Sequence, residues 1–268
     1  MKNTKNYQYQ EYEIIEKTEL ATDTILFRFE GKFDFIPGQF VQIALDRFGE
    51  ATFAFCSDPY QKKFFEICVR GCGNTTNQMI KLVPGDKLKI RGPYGNGWPL
   101  AKMIGKNIVI IAGGMGLVPL RPLLFEIERS QKEFKKIFFV GGFKTPDHVL
   151  FRTDLFMFKK FTAQMEVYVE RTTKDFWGDH GLITEGLRKI KYPPSNTLAL
   201  LCGPDIMIPY CNEMLMKNGT AEKDIFISFE RRMECGIGVC QHCNIGKYFV
   251  CKDGPIFSLD KIKNEIGK

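Results

Sequence analysis

Four of the nine cysteines in this 268-residue chain fall in one late, glycine-rich stretch, RRMECGIGVCQHCNIGKYFVCKDGP. Cys235, Cys240, Cys243 and Cys251 follow the spacing C-x4-C-x2-C-x7-C, and no other feature restricts the fold as tightly. A segment this short has little apolar core of its own, so it is expected to lean on a group held by its thiolates and on a partner protein. Two groups compete. Structural zinc sites typically pair C-x2-C knuckles, and only one such pair is present. A C-x4-C-x2-C run with a more distant fourth cysteine is the plant-type [2Fe–2S] spacing. Gly236 and Gly238 let the backbone wrap close enough to donate N–H groups to sulfur. An iron–sulfur cluster is therefore expected, with zinc as the alternative. His242, inside the C-x2-C pair, is either a ligand or a bystander in the loop.

The rest of the composition narrows the setting. The odd cysteine count argues against a disulfide framework, and MKNTKNYQYQEYEI carries no apolar leader core or small-residue cleavage site. Reduced thiols and a cytoplasmic location follow as expectations. The longest apolar stretch, NIVIIAGGMGLVPLRPLLF, is broken by three glycines, two prolines and Arg121, so no membrane span is expected. The net charge of +7 comes without a Lys/Arg block, which argues against nucleic acid. It leaves scattered surface lysines, or a mild positive face for an acidic nucleotide or protein.

Upstream of the cysteines the hydrophobic pattern changes once. Residues 11–95 read as short strands, EYEIIEKTEL, DTILFRFE, GQFVQIAL, TFAFCS, KFFEICVR and DKLKIRGP, separated by turns such as Ile36-Pro37-Gly38 and Pro84-Gly85-Asp86. This pattern predicts a small antiparallel barrel, interrupted by a helix over 76–83 with Met79, Ile80 and Val83 on its inner face. From about residue 104, KNIVIIAGG, KKIFFVGGF, MEVYVER, NTLALLCGP and DIFISFE are apolar runs without clean alternation, as in strands covered on both faces. Helical spacing lies between them, at Leu120, Leu123, Leu124 and Ile127, and at Ile208, Cys211 and Leu215. Strand–helix alternation predicts a parallel α/β sheet. The expected domains are 1–101, 102–229 and 230–268.

Three turns in these regions suit a nucleotide. GGMGLVPLRP joins a strand to a helix, and Gly113, Gly114 and Gly116 allow close approach of a phosphate to the helix N-terminus. A tight structural turn is the plainer reading, since the spacing matches neither the Rossmann fingerprint nor a P-loop. Cys202-Gly203-Pro204 ends a later strand at the same expected edge of the sheet, where open α/β folds bind ligands. Cys202 either lines that site or is simply buried. Gly73, Thr75 and Thr76 in RGCGNTT open the helix of the barrel, as a second phosphate cradle or an ordinary cap.

Taken together, FERRMECGIGVCQHC, YFVCKDGPIF, IRGPYGNGWP, AGGMGLVPLRP and LLCGPDIM resemble the ferredoxin–NADP reductase superfamily. The likeness extends over nearly the whole chain. Within that superfamily the resemblance is to the branch of sulfhydrogenase gamma subunits, dihydroorotate dehydrogenase electron-transfer subunits and the corresponding subunits of anaerobic sulfite reductases. The resemblance implies an FAD-binding barrel, an NAD(P)-binding α/β domain and a C-terminal [2Fe–2S] segment ligated by Cys235, Cys240, Cys243 and Cys251. It places Gly73, Thr75 and Thr76 against the flavin diphosphate, with Val69 and Arg70 nearby. It places Gly113, Gly114, Gly116, Cys202, Gly203 and Pro204 toward NAD(P)H, with Cys202 as the side chain that would assist hydride transfer. The flavin strand departs from the family pattern. In ATFAFCS, Ala51 stands for the usual arginine, Phe53 for the aromatic residue and Ala54 for the serine, leaving the backbone of Phe53, Ala54 and Phe55 to hold the flavin. The implied function is an NAD(P)H-linked subunit that passes electrons through FAD and the cluster to the catalytic and iron–sulfur subunits of a complex of hydrogenase or sulfite reductase type. The alternatives are a cluster-bearing sensor or assembly subunit without turnover, and a zinc-stapled nucleotide-binding module.

Overall fold

Alternation along the first strands decides which face of the sheet goes inward. A computed structural model of the chain describes residues 7–173 and 175–265; part of the leader-peptide reading and both outer domain limits lie outside them. Strands β1 (Gln10–Ala21), β2 (Thr24–Glu30), β3 (Phe40–Leu45), β4 (Gly49–Ala54), β5 (Phe64–Arg70) and β6 (Lys87–Tyr94) form one antiparallel sheet, in the order β4-β3-β6-β1-β2-β5. A bridge between Phe55 and Ile67 joins its two edges, giving the expected barrel. Val41, Ile43, Phe53, Ile67, Leu88 and Ile90 fill its interior. Their neighbours Gln42, Thr52 and Arg91 point the other way, toward the rest of the molecule.

The barrel helix α1 spans Asn74–Met79, shorter than the pattern predicted. Met79 is fully buried as expected, but Val83 is 53% exposed. Pro84 explains the correction: the residue before a proline is driven out of the helical region, so Val83 falls in a turn where its N–H donates to Asp86 Oδ2.

The second sheet runs β10-β9-β8-β7-β11-β12-β15. Its strands are β7 (Asn107–Gly113), β8 (Ile137–Phe143), β9 (Gln164–Val169), β10 (Asp179–His180), β11 (Thr197–Cys202), β12 (Ile225–Ser228) and β15 (Ile256–Ser258). All pair in parallel except β15, which adds antiparallel to β12. Every residue of β7 and β11 is buried, the reason neither run alternates. Helix α2 (Leu100–Met103) precedes β7, and α3 (Leu117–Arg129), α4 (Arg152–Phe158), α5 (Ile183–Lys189) and α6 (Met207–Lys217) lie between these strands in sequence. Leu120, Leu123, Leu124 and Ile127 of α3 are all fully buried.

The C-terminal segment holds the hairpin β13 (Asn244–Ile245) and β14 (Tyr248–Phe249), then α7 (Val250–Asp253), β15 and α8 (Leu259–Ile262). It leans on this chain more than its sequence suggested. β15 extends the α/β sheet, and Asn96 from the barrel side donates to Ile256 O at 2.8 Å and accepts from Ile256 N at 3.0 Å. Arg121, at the start of α3, ties the barrel to the α/β layer by donating to Cys56 O and Glu66 Oε2, both at 2.7 Å, and to Asp154 Oδ2 at 2.6 Å.

Candidate functional site

Two cavities open between the barrel and the α/β sheet. The larger, of about 750 Å³, is walled by Gly113, Gly114, Pro204, Lys144, Glu170 and Tyr210, with Asp23 and Thr24 from the barrel. The smaller, of about 340 Å³, is walled by Phe53, Ala54, Thr52, Thr76, Pro119 and the run from Ser228 to Arg231. Arg70 and Met115 line both. Volumes of this size fit small-molecule sites.

The wall of the larger cavity follows from its glycines. A Cβ on Gly116 would stand 2.1 Å from the Cys202 carbonyl oxygen, so only glycine lets the turns after β7 and β11 nest together. The consequence for Cys202 corrects the sequence reading. It stands behind the turn, 1% exposed, and lines neither cavity. Burial pushes its thiol far above the ordinary range, so it stays protonated. Gly116 and Gly203 likewise support the wall from behind, leaving Gly113, Gly114 and Pro204 facing the cavity. Lys144 lines the cavity, while Arg152 is turned to Pro146 O and Asp147.

The residues that the sequence set against the flavin are divided between the smaller cavity and the barrel behind it. Phe53, Ala54, Arg70 and Thr76 line the cavity. Phe55 and Val69 are buried in the barrel core, and the Phe55 N–H is already given to Gln39 O at 3.3 Å. Thr75 is engaged elsewhere, its hydroxyl donating to Phe48 O at 2.5 Å. Neither it nor Gly73 lines the cavity; Thr76 Oγ1 accepts from Cys72 N and Gly73 N, both at 3.0 Å. With Ala54 in place of serine, the wall offers Thr52 Oγ1, a buried polar atom without a partner among the described residues. A buried hydroxyl left unpaired is what a polar ligand would satisfy, so the site fits a flavin. Sequence reading missed Thr52, Met115, Phe229, Glu230, Arg231, Met233 and Pro255. Most come from chain just before or after the cysteine loop, and the nearness of FERRM to Cys235 was the available signal.

Met233 and Glu234 lead from that cavity into the cysteine loop. Cys235 Sγ accepts N–H bonds from Val239 at 3.3 Å and from Ile237 and Cys240 at 3.4 Å. Cys251 Sγ accepts from Gly238 N at 3.0 Å, and Cys243 Sγ from Cys251 N at 3.4 Å. Gly236 and Gly238 make this wrap possible at φ +70° and +78°, in the left-handed region. Burial alone would raise the Cys235 thiol, but the N–H bonds outweigh it and hold it down at about 6. Cys251 is pushed up to about 12, first by burial and then by its hydrogen bond to Cys243. A bound metal offsets such a cost by its own positive charge.

The Cys235 thiol meets that of Cys240, and the Cys251 thiol meets that of Cys243 and feels the charge of Cys235. Among the described residues no three cysteine, histidine or acidic side chains converge on one ion. The C-x4-C-x2-C-x7-C spacing and the backbone N–H groups aimed at the cysteine sulfurs fit a dinuclear cluster. His242 is half exposed, 3.9 Å from Glu234, a bystander in the loop.

Comparison with known proteins gives the same three parts in the same order. Residues 11–98 match the oxidoreductase FAD-binding domain, 110–213 the oxidoreductase NAD-binding domain, and 230–263 the iron–sulfur cluster binding domain of dihydroorotate dehydrogenase B. The sulfhydrogenase 1 gamma subunit of Pyrococcus furiosus is 35% identical, over 100% of this chain and 96% of its own. A probable dihydroorotate dehydrogenase B (NAD(+)) electron transfer subunit of Pyrococcus abyssi is 34% identical, over 95% and 92%. Among solved structures, the NADH-dependent reduced ferredoxin–NADP oxidoreductase superposes with a TM-score of 0.74 at 24% identity, over 95% of this chain and 92% of that one.

Proposed function

We infer the chemistry of this chain from its family: it belongs with the sulfhydrogenase gamma subunits and dihydroorotate dehydrogenase B electron-transfer subunits, on the ferredoxin–NADP reductase fold. It is an electron-transfer subunit of a hetero-oligomeric redox complex, carrying electrons between a nicotinamide nucleotide and a partner enzyme. The nicotinamide exchanges electrons in pairs as hydride, the cluster exchanges them singly, and FAD does both, which fixes its place between them.

One observation carries this reading. The two cavities share Arg70 and Met115, and the second is walled by residues that run into the cysteine loop, so three sites follow one another through the molecule. In the proposed assignment, Gly113, Gly114 and Pro204 face the nicotinamide nucleotide, backed by Gly116, Cys202 and Gly203. Phe53, Ala54, Thr52 and Thr76 face the flavin. Arg70 offers its charge to phosphate at the junction, and Cys235 with Cys240 and Cys243 with Cys251 each hold one iron. Hydride transfer needs alignment and dry walls rather than an acid or base, and no side chain in these walls is assigned such a role.

The proposed domain limits are 1–101, 102–229 and 230–268, supported by the family matches. A partner of hydrogenase or sulfite reductase type is proposed from the relatives. No helix among the described residues is long and apolar enough to cross a membrane. The cytoplasm is the proposed compartment, supported by nine cysteines free of disulfides. The test is the visible spectrum of anaerobically purified protein, with iron, zinc and flavin assays, before and after NADH or NADPH. Flavin and iron bleached by one nucleotide are expected. Zinc without colour would overturn the cluster, and iron without nucleotide-driven bleaching would favour a sensor or assembly role.

A further inference from the structure

Gln42 is wholly buried, yet neither its amide nitrogen nor its amide oxygen has a partner. Protein interiors pair such groups almost without exception, so an orphaned carboxamide marks a place where a polar group belongs. Its neighbours say which. On β3, Gln42 lies opposite Thr52 of β4 on one side and Arg91 of β6 on the other. Residues directly opposite in antiparallel strands share a face, so the three side chains form a row. Thr52, at one end, lines the flavin-side cavity and is itself unpartnered. Arg91, at the other end, donates from Nη1 to the Cys235 carbonyl at 2.8 Å and is held by Glu50 at 2.6 Å. Gln42 stands between them against the cysteine loop. A Cβ on Gly236 would lie 3.0 Å from Gln42 Cγ and 3.1 Å from its Nε2. The carboxamide therefore sits under the turn that follows Cys235, between the two cofactor sites.

We propose that Gln42 is a positioning residue for the cluster, its amide N–H donating to the sulfur shell at the Cys235 end, on the side toward the flavin cavity. The inference rests on the iron–sulfur reading above. A hydrogen bond to cluster sulfur favours the more negative, reduced state and raises the reduction potential. Gln42 thus makes the cluster a better acceptor for electrons leaving the flavin, while Arg91 fixes the loop beside it.

The test uses the holoprotein as wild type, Gln42→Leu and Gln42→Met, titrated potentiometrically while the EPR signal of the reduced cluster is followed. Both variants keep the packing volume and remove the donor. The expected result is a cluster midpoint lowered enough to make flavin-to-cluster transfer tenfold less favourable, about 59 mV for one electron. Iron content, FAD content and the flavin midpoint stay at wild-type values. An unchanged cluster midpoint overturns the proposal, and so does an equal shift of the flavin, the mark of general loosening. Should neither variant fold, pulsed EPR on protein carrying side-chain ¹⁵N-glutamine decides, in a Gln241→Gly background that removes the cysteine loop's own glutamine. A ¹⁵N coupling to the reduced cluster is expected, and its absence sinks the proposal. Wild-type protein without iron sinks the cluster reading and the Gln42 role together, whereas iron with an unmoved midpoint sinks the Gln42 role alone.

Discussion

Cys235 and Cys202 stand in opposite environments. Cys235 accepts three backbone N–H bonds, each of which favours the thiolate that a metal requires. Cys235→Ser is expected to lose the cluster EPR signal and onward electron transfer, while NAD(P)H still bleaches the flavin; full transfer to the partner in that variant would take the cluster off the path. Cys202 is the opposite case. Its folded-state pKa lies above that of the unfolded thiol, so at pH 8 it carries a proton while an exposed thiol begins to ionise. Iodoacetamide at pH 8 is therefore expected to label the exposed Cys72 and spare Cys202, as read by peptide mass spectrometry.

At the scale of elements, the nesting of two turns fixes the larger cavity. Gly116→Ala puts a methyl against the backbone of Cys202, which cannot move without shifting β11 or the chain leading into α6. Overpacking of this kind costs about 1–3 kcal/mol. The expected outcome is weakened nucleotide binding by calorimetry, with FAD content unchanged; loss of FAD alongside would show that the turn supports both cavities. These elements were legible where one periodicity ruled. The spacing Leu120, Leu123, Leu124, Ile127 named a buried helix face and all four are buried. Val83 fell outside the helix because a local rule at Pro84 overrode the pattern, and that rule was also in the sequence.

For the whole molecule, Arg121 is the joint. It is buried, spans from α3 to the barrel, and pairs with Glu66 and Asp154. Arg121→Met leaves Glu66 buried with only the half-buried Arg28 to meet it, and breaking such a pair costs about 3–5 kcal/mol. A lowered denaturation midpoint is expected, partly restored by Glu66→Gln in the same chain. No restoration would assign the loss to the packing of Arg121 on Phe125 and Phe151 instead.

The sequence by itself determined the barrel, the parallel sheet and the identity of the four clustered cysteines, because local periodicity and ligand spacing are properties of neighbouring residues. Only the tertiary structure decided that Cys202 stands behind its turn and that Thr75 is spent on Phe48. It alone seated β15 on the edge of the α/β sheet and set Gln42 beside Gly236, far away along the chain. Such facts depend on which strand lies beside which and on where each polar atom finds its partner, and a buried carboxamide in a strand reads like any other polar residue until its neighbours are in place.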